Sequence, residues 1–346
     1  MTSERTDPVE NTVLVTGVSG FLGGYIARAL LQVGYRVRGT VRDAARHSEL
    51  STRLGVGSSP DNRVHLFSAD LTADRGWAAA ADGCNYVIHA ASPFPAVEPK
   101  DAQEVIRPAR EGTLRVLRAA QRARVSRVVL TSSVAATNHG SGVAPYTEND
   151  WTDVNGRRAT AYYQSKTLAE RDAWEFTRSS GMELSVINPG VILGPLFDPK
   201  VGSSVGLVAQ LLSGGFKGLP RFGFAIADVR DVAEAHVRAL TAPGAAGRRF
   251  LVAGEFRWIR EVSAQLARDF PDYASRLPTK ITPDWMVRIM ALADPQARMV
   301  VPELGRDLSV DTTPAREILE WSARPDSATL RETAQSLIDW RIVPPM

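Results

Sequence analysis

The sequence predicts an α/β fold built on a parallel, doubly wound sheet with helices on both faces. Apolar strands alternate with longer helical segments from residue 13 to residue 188, which is typical of parallel sheets with right-handed crossovers. Glycines with T-G-x-x-G-x-x-G spacing separate the first strand from the first helix. Small or polar residues follow most strands, at the sheet edge where such folds bind ligands.

The glycine turn joins the apolar run 13–16 to the helical pattern of residues 25–31. Gly17 and Gly20 let the backbone come close to the phosphates of a ligand, and Gly23 lets helix and strand pack closely. Free N–H groups at the helix start and the positive end of the helix dipole favour an anion. The turn therefore predicts a site for a dinucleotide pyrophosphate.

The other elements follow from the same patterns. Further strands are predicted at 35–41, 63–69, 85–89, 127–131 and 184–188, with helices at 101–123 and 160–180. Beyond residue 195 the alternation loosens, and 196–224 is expected to form a wall or lid over a pocket. A helix at 228–240 and a strand at 249–252 should return to the sheet. Short helices are predicted around 258–269, 283–292, 312–320 and 327–339, with the apolar stretch from Trp285 packed.

These elements predict how the chain is divided. Residues 1–10 are expected to form a flexible tail, and 11–188 a dinucleotide-binding domain that carries the catalytic residues. Residues 189–346 should form mainly a smaller, interleaved substrate-binding lobe, from which 226–252 return to the central core. The absence of a repeat or a flexible linker favours two closely joined lobes over separate domains.

Composition argues against several kinds of partner. The chain has 346 residues, of which 44% are hydrophobic and 23% charged, with a net charge of only +3 and scattered arginines, so we expect no nucleic-acid partner. No apolar stretch approaches the roughly 18–20 residues of a membrane span, and no signal peptide is visible. The single cysteine, Cys84, and the five histidines without metal-ligand spacing predict neither a disulfide nor a metal site. We expect a cytoplasmic monomer or homodimer without membrane contact.

Three residues are candidates for catalysis. Tyr162 and Lys166 are four residues apart on a predicted helix, so their side chains lie on one face. Ser133 ends the fifth strand at the ligand-binding edge of the sheet. A Y-x-x-x-K pair alone is common on solvated helices, and the position of Ser133 gives it significance. Tyr163 is the competing tyrosine, but its i+4 residue is Thr167.

This trio suits reduction of a carbonyl by hydride transfer, which needs a proton donor at the oxygen. Free tyrosine has a pKa near 10, and a neighbouring ammonium should lower it. Bringing it to about 7 requires roughly 4 kcal/mol of differential stabilisation. Ser133 would hold the substrate oxygen by a hydrogen bond as charge develops. Lys166 would also contact a ribose hydroxyl and orient the nicotinamide.

Together these motifs resemble the extended short-chain dehydrogenase/reductases of the NAD-dependent epimerase/dehydratase superfamily. More narrowly, the chain is similar to the branch of dihydroflavonol 4-reductases, cinnamoyl-CoA reductases and yeast-type aldehyde or methylglyoxal reductases. The resemblance spans most of the chain and is diffuse near the C-terminus. It rests on V-T-G-V-S-G-F-L-G at 15–23, R-G-T-V-R-D at 38–43, D-L-T at 70–72, H-A-A-S-P at 89–93, E-G-T at 111–113, T-S-S at 131–133, Y-x-x-x-K-T-L-A-E at 162–170, N-P-G at 188–190 and D-V-R-D-V-A at 228–233.

The resemblance implies a Rossmann-type fold and a cofactor site along the sheet edge. At the adenosine end, the matching motifs put Phe21 and Leu22 beside the glycines and Asp70 and Leu71 at the adenine. At the nicotinamide end, they put Ala90, Ala91 and Ser92 at the ribose and nicotinamide, and Pro189 and Val191 beside the carboxamide. Ser204 matches a residue of the lid that reaches the cofactor. Asn138 matches a position that contacts substrate in plant flavonoid reductases, although a loop asparagine is as often a turn residue. Phe94, Tyr163, Phe197, Phe222 and Phe224 are candidate pocket walls, with ordinary core packing as the alternative.

The second strand favours NADP(H) as cofactor. Enzymes that use NAD usually offer an acidic residue to the ribose about 20 residues after the glycines. Here the strand contains no acid and ends at Arg42, whose guanidinium suits a 2′-phosphate. Asp43 is the alternative ribose ligand, and Arg46 is a possible second cation.

Two departures limit the resemblance. The asparagine that many short-chain enzymes carry before the Gly-Thr pair at 112–113 is missing, which leaves the proton route past Lys166 open. The Asn-Trp-Tyr-Cys signature of cinnamoyl-CoA reductases is also missing, which weakens a thioester substrate. The leading interpretation is NADPH-dependent reduction of an aldehyde or ketone, with bulky, aromatic carbonyls among the candidate substrates. The alternatives are a nucleotide-sugar epimerase or dehydratase, a steroid-type or hydroxy-acid dehydrogenase, and a non-catalytic NADP sensor.

Overall fold

A seven-stranded sheet forms the centre of the computed structural model, which describes residues 11–43, 50, 63–93 and 99–345. Its strands are β1 (Thr12–Thr16), β2 (Arg36–Val41), β3 (Val64–Ser68), β4 (Tyr86–His89), β5 (Arg127–Thr131), β6 (Glu183–Pro189) and β10 (Arg248–Val252). Their order across the sheet is β10-β6-β5-β4-β1-β2-β3, and neighbouring strands pair in parallel. The predicted fold class is confirmed.

Helices cover both faces of this sheet and extend into the C-terminal part of the chain. The fully described helices are α1 (Phe21–Gln32), α2 (Trp77–Ala81), α3 (Gln103–Arg122), α4 (Ala161–Ser180), α5 (Ser203–Leu212), α6 (Val229–Ala239), α7 (Ile259–Asp269), α8 (Asp284–Met290), α9 (Pro295–Val300), α10 (Thr313–Leu319) and α11 (Asp326–Asp339). One sheet face buries Val129, Ile187 and Phe250 in a core that α1 and α6 share, and the other buries Leu14 and Val87 in a core that includes residues of α2 and α3.

The strand order locates the ligand site. From β1 the chain winds outward through β2 and β3, then returns to place β4 on the other side of β1. A crevice opens beyond the carboxyl ends of the strands where the winding direction reverses, and ligands bind there. The glycine turn follows β1 at this point, so the predicted pyrophosphate site and the topological switch coincide.

A second apolar cluster lies toward the C-terminus. Strands β7 (Val191–Leu193), β9 (Gly223–Asp228) and β11 (Phe256–Trp258) form a small sheet, and β8 (Leu219–Pro220) pairs with β12 (Ile281–Thr282). Leu193, Leu211, Ile226, Leu266 and Leu337 bury their side chains together there. The 196–224 segment, expected only as a wall or lid, contains helix α5.

One expectation about this region is wrong. The apolar stretch from Trp285 forms helix α8, but the helix is not packed all round. Val287 and Ala291 are buried, whereas Trp285 is 61%, Ile289 58% and Leu292 81% exposed. Apolar residues on every face of a short helix do not reveal which face meets a core. Among the described helices, none is long and apolar enough to cross a membrane.

Candidate active site at the carboxyl edge of the sheet

The turn after β1 is shaped by close backbone approaches. Gly17 has a φ of +69°, and its carbonyl oxygen accepts a hydrogen bond from the Gly20 N–H at 2.9 Å. A Cβ on Gly23 would lie 2.2 Å from that same oxygen, so only glycine lets α1 start this close to β1. No described side chain caps Gly20, and the first turn of α1 carries no acid. The N–H groups near Phe21 and Leu22 therefore suit a phosphate, so this turn fits the predicted pyrophosphate.

A buried network ties together the ends of β1 and β4 beside this turn. Thr16 Oγ1 accepts from the Ala91 N–H at 3.0 Å and lies 2.7 Å from His89 Nδ1. Burial, with a smaller contribution from Lys166, lowers the pKa of His89 to about 3, so the ring is neutral. The other ring nitrogen, His89 Nε2, lies 3.4 Å from Thr113 Oγ1, so the neutral ring bridges the two threonine hydroxyls.

The predicted adenosine side lies at the ends of β2 and β3. Arg42 is exposed just beyond β2. Asp70 accepts from the N–H and hydroxyl of Thr72, and these bonds, with a smaller effect of Arg42, lower the pKa of its carboxyl. Leu71 packs against Gly112, where a Cβ would lie 2.7 Å from the leucine Cβ. The structure thus brings the cation near the Asp70–Leu71 pair, as an adenosine phosphate would require. Arg46 lies outside the described residues.

The predicted nicotinamide-side residues follow β4 and β6. Ala90, Ala91 and Ser92 continue from the end of β4 and are half-buried. Pro189 ends β6 and Val191 begins β7, while the intervening Gly190 donates to the Val252 carbonyl at 3.0 Å. Ser204 is the second residue of α5 and half-buried. Phe94, predicted as a pocket wall, lies outside the described residues.

The three predicted catalytic side chains come together at the end of β5. Thr160 caps α4 and positions Tyr162 and Lys166 one turn apart on it. The Tyr162 side chain is hydrogen-bonded to Ser133, whose Oγ also accepts from the Ala135 N–H at 3.1 Å. Lys166 Nζ donates to the Thr131 carbonyl oxygen at 3.3 Å. The phenol, hydroxyl and ammonium therefore face one edge of the sheet.

Burial sets the ionisation of this trio. Desolvation raises the pKa of Tyr162 to about 12, and its hydrogen bond with Ser133 opposes the rise. The same burial lowers the pKa of Lys166 to about 8, opposed by the charge of Glu170. The expected lowering of the phenol pKa does not occur in the protein alone, because burial raises this pKa and only the hydrogen bond with Ser133 opposes it.

A polar cluster that the sequence did not predict lies beside Tyr162. Glu303 Oε1 accepts hydrogen bonds from the Tyr163 hydroxyl and from His139 Nε2, the latter at 2.8 Å. The His139 ring stacks on Tyr163 with centroids 4.1 Å apart, and Tyr163 meets Tyr162 edge-on at 6.0 Å. Burial and then Glu303 raise the pKa of Tyr163 well above 10. Tyr163 thus forms a wall beside the catalytic phenol.

Asn138 directly precedes His139 of this cluster in the chain. It is buried, and its backbone carbonyl oxygen accepts a hydrogen bond from Arg306 Nη2 at 2.8 Å. Among the described residues, Asn138 Oδ1 and Glu303 Oε2 have no hydrogen-bond partner. Glu303 and Arg306 come from the region where the family likeness is diffuse, and no local motif marks either residue.

The remaining predicted pocket walls lie in packed surroundings. Phe197 stacks on Phe21 with centroids 6.5 Å apart, and a Cβ on Gly24 would lie 2.3 Å from its ring. It therefore packs on α1. Phe222 and Phe224 lie 6.1 Å apart in the C-terminal apolar cluster. Among the described residues, no three His, Cys, Asp or Glu side chains could hold a metal ion.

Known proteins resemble the chain in sequence and in structure. Residues 13–253 match the NAD dependent epimerase/dehydratase family. The chain is 37% identical to cinnamoyl-CoA reductase 1 of Arabidopsis thaliana over 285 residues, which is 81% of this chain and 80% of that protein. It is 32% identical to a (2S)-flavan-3-ol-forming anthocyanidin reductase of Vitis vinifera over 288 residues, covering 78% and 83%.

A solved structure of yeast methylglyoxal/isovaleraldehyde reductase complexed with NADPH superposes with a TM-score of 0.79 at 26% identity, covering 95% of this chain and 99% of that one. The fold therefore agrees with that of a solved reductase. The chain belongs to the NAD-dependent epimerase/dehydratase family, within its extended short-chain reductase branch, and is an oxidoreductase.

Proposed function

We propose that the protein is an NADPH-dependent carbonyl reductase that converts an aldehyde or ketone, of bulky or aromatic type, to the alcohol. The observation that carries this proposal is the hydrogen bond between the Tyr162 side chain and Ser133, beside the strand-end crevice, with Lys166 one helical turn away. The names of the plant and yeast relatives, all reductases, support it.

The cofactor assignment has its own support. The glycines of the Gly17–Gly23 turn carry no side chains that would keep a pyrophosphate away from the backbone. Arg42 supplies a positive charge at the end of β2, which suits the 2′-phosphate of NADPH better than the ribose hydroxyl of NADH. The yeast neighbour is described with NADPH. When bound, NADPH supplies the hydride for the reduction.

The side chains supply the proton and hold the substrate. Ser133 donates a hydrogen bond to the carbonyl oxygen and keeps it beside Tyr162. Tyr162 then gives its proton to that oxygen as negative charge develops. With a pKa of about 12, the phenol stays protonated at neutral pH and is ready to act as the acid. Lys166 provides a nearby positive charge that stabilises the phenolate left behind.

The second lobe and the Tyr163 wall would shape the substrate pocket. Residues 11–188 carry the cofactor and the catalytic trio, and most of 189–346 would cover the substrate, with 226–252 returning to the sheet. Tyr163, whose ring meets that of Tyr162, and the buried Asn138 are the proposed substrate contacts within the described chain.

The proposal is tested by following NADPH absorbance with a panel of aromatic and aliphatic aldehydes and ketones. Tyr162→Phe should lose about 100-fold or more in kcat while NADPH binding, measured by fluorescence titration, is retained. Tyr35→Phe is the matched control, because Tyr35 is buried against Tyr86 under β2 and far from the trio in the fold. Equal rates for wild type and Tyr162→Phe would reject the proton donor. If the wild type binds NADPH but turns over no carbonyl, the reductase proposal is wrong.

A further inference from the structure

Glu170 continues the catalytic face of α4. Tyr162, Lys166 and Glu170 follow one another at intervals of four residues, so their side chains lie on the same side of the helix. Glu170 is only 1% exposed. A carboxylate this deeply buried is costly unless strong hydrogen bonds and a counter-charge surround it.

The partners of Glu170 come from the strands that carry the site. Its Oε1 accepts from Arg249 Nε at 2.5 Å, and its Oε2 accepts from Ser132 Oγ at 2.5 Å and from Asn188 Nδ2 at 2.9 Å. The Asn188 amide also donates to the Ser133 carbonyl oxygen at 3.1 Å. One carboxylate therefore fixes the end of β5, where Ser133 begins its turn, against β6 and α4.

Glu170 also faces the ammonium. A small cavity with room for about one water molecule lies between α3, α4 and the ends of β4 and β5. Lys166 and Glu170 both line this cavity, together with His89 and Thr113. Burial lowers the pKa of Lys166, and the negative charge of Glu170 opposes this by favouring the protonated ammonium. Among the described residues, the other titratable group that lines the cavity is His89 from β4, which is neutral. Arg249 from β10 pairs with Glu170, and Tyr162 lies one turn before Lys166 on α4.

We propose that Glu170 is a positioning residue of the reductase: it holds the Ser133 turn in place and keeps Lys166 charged beside Tyr162. This inference rests on the proposed function. It assigns Glu170 two tasks in one carboxylate, and both act through other side chains. Neither task is needed if Glu170 serves only to neutralise Arg249.

Arg249 provides the control that separates these roles. Arg249 is buried, and its Nη1 also donates hydrogen bonds to the backbone carbonyl oxygens of Glu148 and Asp150, each at 2.8 Å. Its guanidinium lies 3.7 Å from the centre of the Trp151 ring. Removing Glu170 alone strands a buried positive charge, which destabilises any protein. Removing both charges leaves an uncharged site, so stability should return even though the carboxylate is absent.

The experiment compares Glu170→Gln, Glu170→Asp and the double variant Glu170→Gln/Arg249→Met with wild type. Carbonyl reduction is measured from pH 6 to pH 10, thermal unfolding is followed by circular dichroism, and the titration of Lys166 is read from the 13Cε shift of labelled lysine, assigned with Lys166→Arg. The NMR titration does not depend on turnover, so failure of this inference is distinguishable from failure of the proposed function.

Without the carboxylate, Lys166 should lose its proton at lower pH. We expect both Glu170→Gln and the double variant to lose tenfold or more in kcat and to move the alkaline limb and the Lys166 titration down by about one pH unit. The double variant should regain thermal stability, and Glu170→Asp should restore the Lys166 titration toward wild type. If the double variant recovers kcat and the wild-type titration, Glu170 only neutralises Arg249 and the inference is overturned.

Discussion

Replacement of Gly23 by alanine tests whether the close approach of α1 to β1 creates the cofactor site. The added Cβ would stand 2.2 Å from the Gly17 carbonyl oxygen, whereas ordinary van der Waals contact begins at 3.4 Å. The two must therefore separate by about 1.2 Å. The obstacle is a backbone oxygen and the Cβ is bonded directly to the helix backbone, so the start of the helix has to move away from the strand and take its N–H groups with it.

The cost follows from this displacement. Forcing extra volume into a packed contact costs about 1–3 kcal/mol or more, of which alanine's better helix propensity returns about 1 kcal/mol. If the amides no longer converge on the pyrophosphate, binding loses at least one well-placed contact. We expect the Kd for NADPH to rise about tenfold or more, since each 1.4 kcal/mol is a factor of ten.

The assay is fluorescence titration with NADPH, combined with thermal unfolding at saturating cofactor. Gly206→Ala is the matched control, because Gly206 also lies in the first turns of a helix, α5, and its Cβ would meet only Val201 at 3.7 Å. This control should gain roughly 0.4–1 kcal/mol of stability. If Gly23→Ala binds NADPH as tightly as Gly206→Ala, the turn does not hold the pyrophosphate.

Three other predictions concern the cofactor, acid stability and the Tyr163 wall. Arg42→Ala should raise the Kd for NADPH about tenfold and leave the Kd for NADH unchanged, as measured by parallel titrations. An equal loss of affinity for both cofactors would show that Arg42 does not contact the 2′-phosphate. Burial lowers the pKa of His89 to about 3 and of His236 to about 4. As the pH falls below about 6.5, both histidines therefore become protonated in the unfolded chain while they stay neutral in the folded protein. Stability to urea should therefore fall between pH 6.5 and 4, by about 3 kcal/mol for His236 alone, and an unchanged midpoint would contradict this. Glu303→Gln should lower the free energy of unfolding by about 1–3 kcal/mol and raise KM more than it lowers kcat, because Tyr163 loses its charged hydrogen-bond acceptor. Unchanged kinetics would show that Tyr163 does not contact the substrate.

The sheet and its ligand edge were predictable because their signals are local. Each strand of the central sheet is a short apolar run that ends at small or polar residues, and the pattern needs no knowledge of distant contacts. The glycine spacing at 17–23 reports backbone geometry directly, since a side chain at Gly23 would collide with Gly17.

The parts that the sequence could not predict depend on contacts between distant segments. Glu303 meets Tyr163 across 140 positions of the chain, and no local pattern marks it as a partner. Helix α8 shows the same limit in reverse, because exposure of Trp285 is set by what the rest of the chain leaves uncovered. The direction of the Tyr162 pKa shift likewise depends on how completely the fold removes water from the phenol.

That burial has a consequence for the direction of the reaction. In water the tyrosine phenol and the lysine ammonium have nearly equal pKa values, about 10 and 10.4. In the folded protein the values move apart, to about 12 for Tyr162 and about 8 for Lys166, because desolvation disfavours the charged form of each. Lys166 becomes the stronger acid, and Tyr162 is held as the neutral phenol at physiological pH. Oxidation of an alcohol would need the phenolate, whereas reduction of a carbonyl consumes a proton. In the protein alone, the buried pair therefore holds the phenol in the protonation state that the proposed reduction requires.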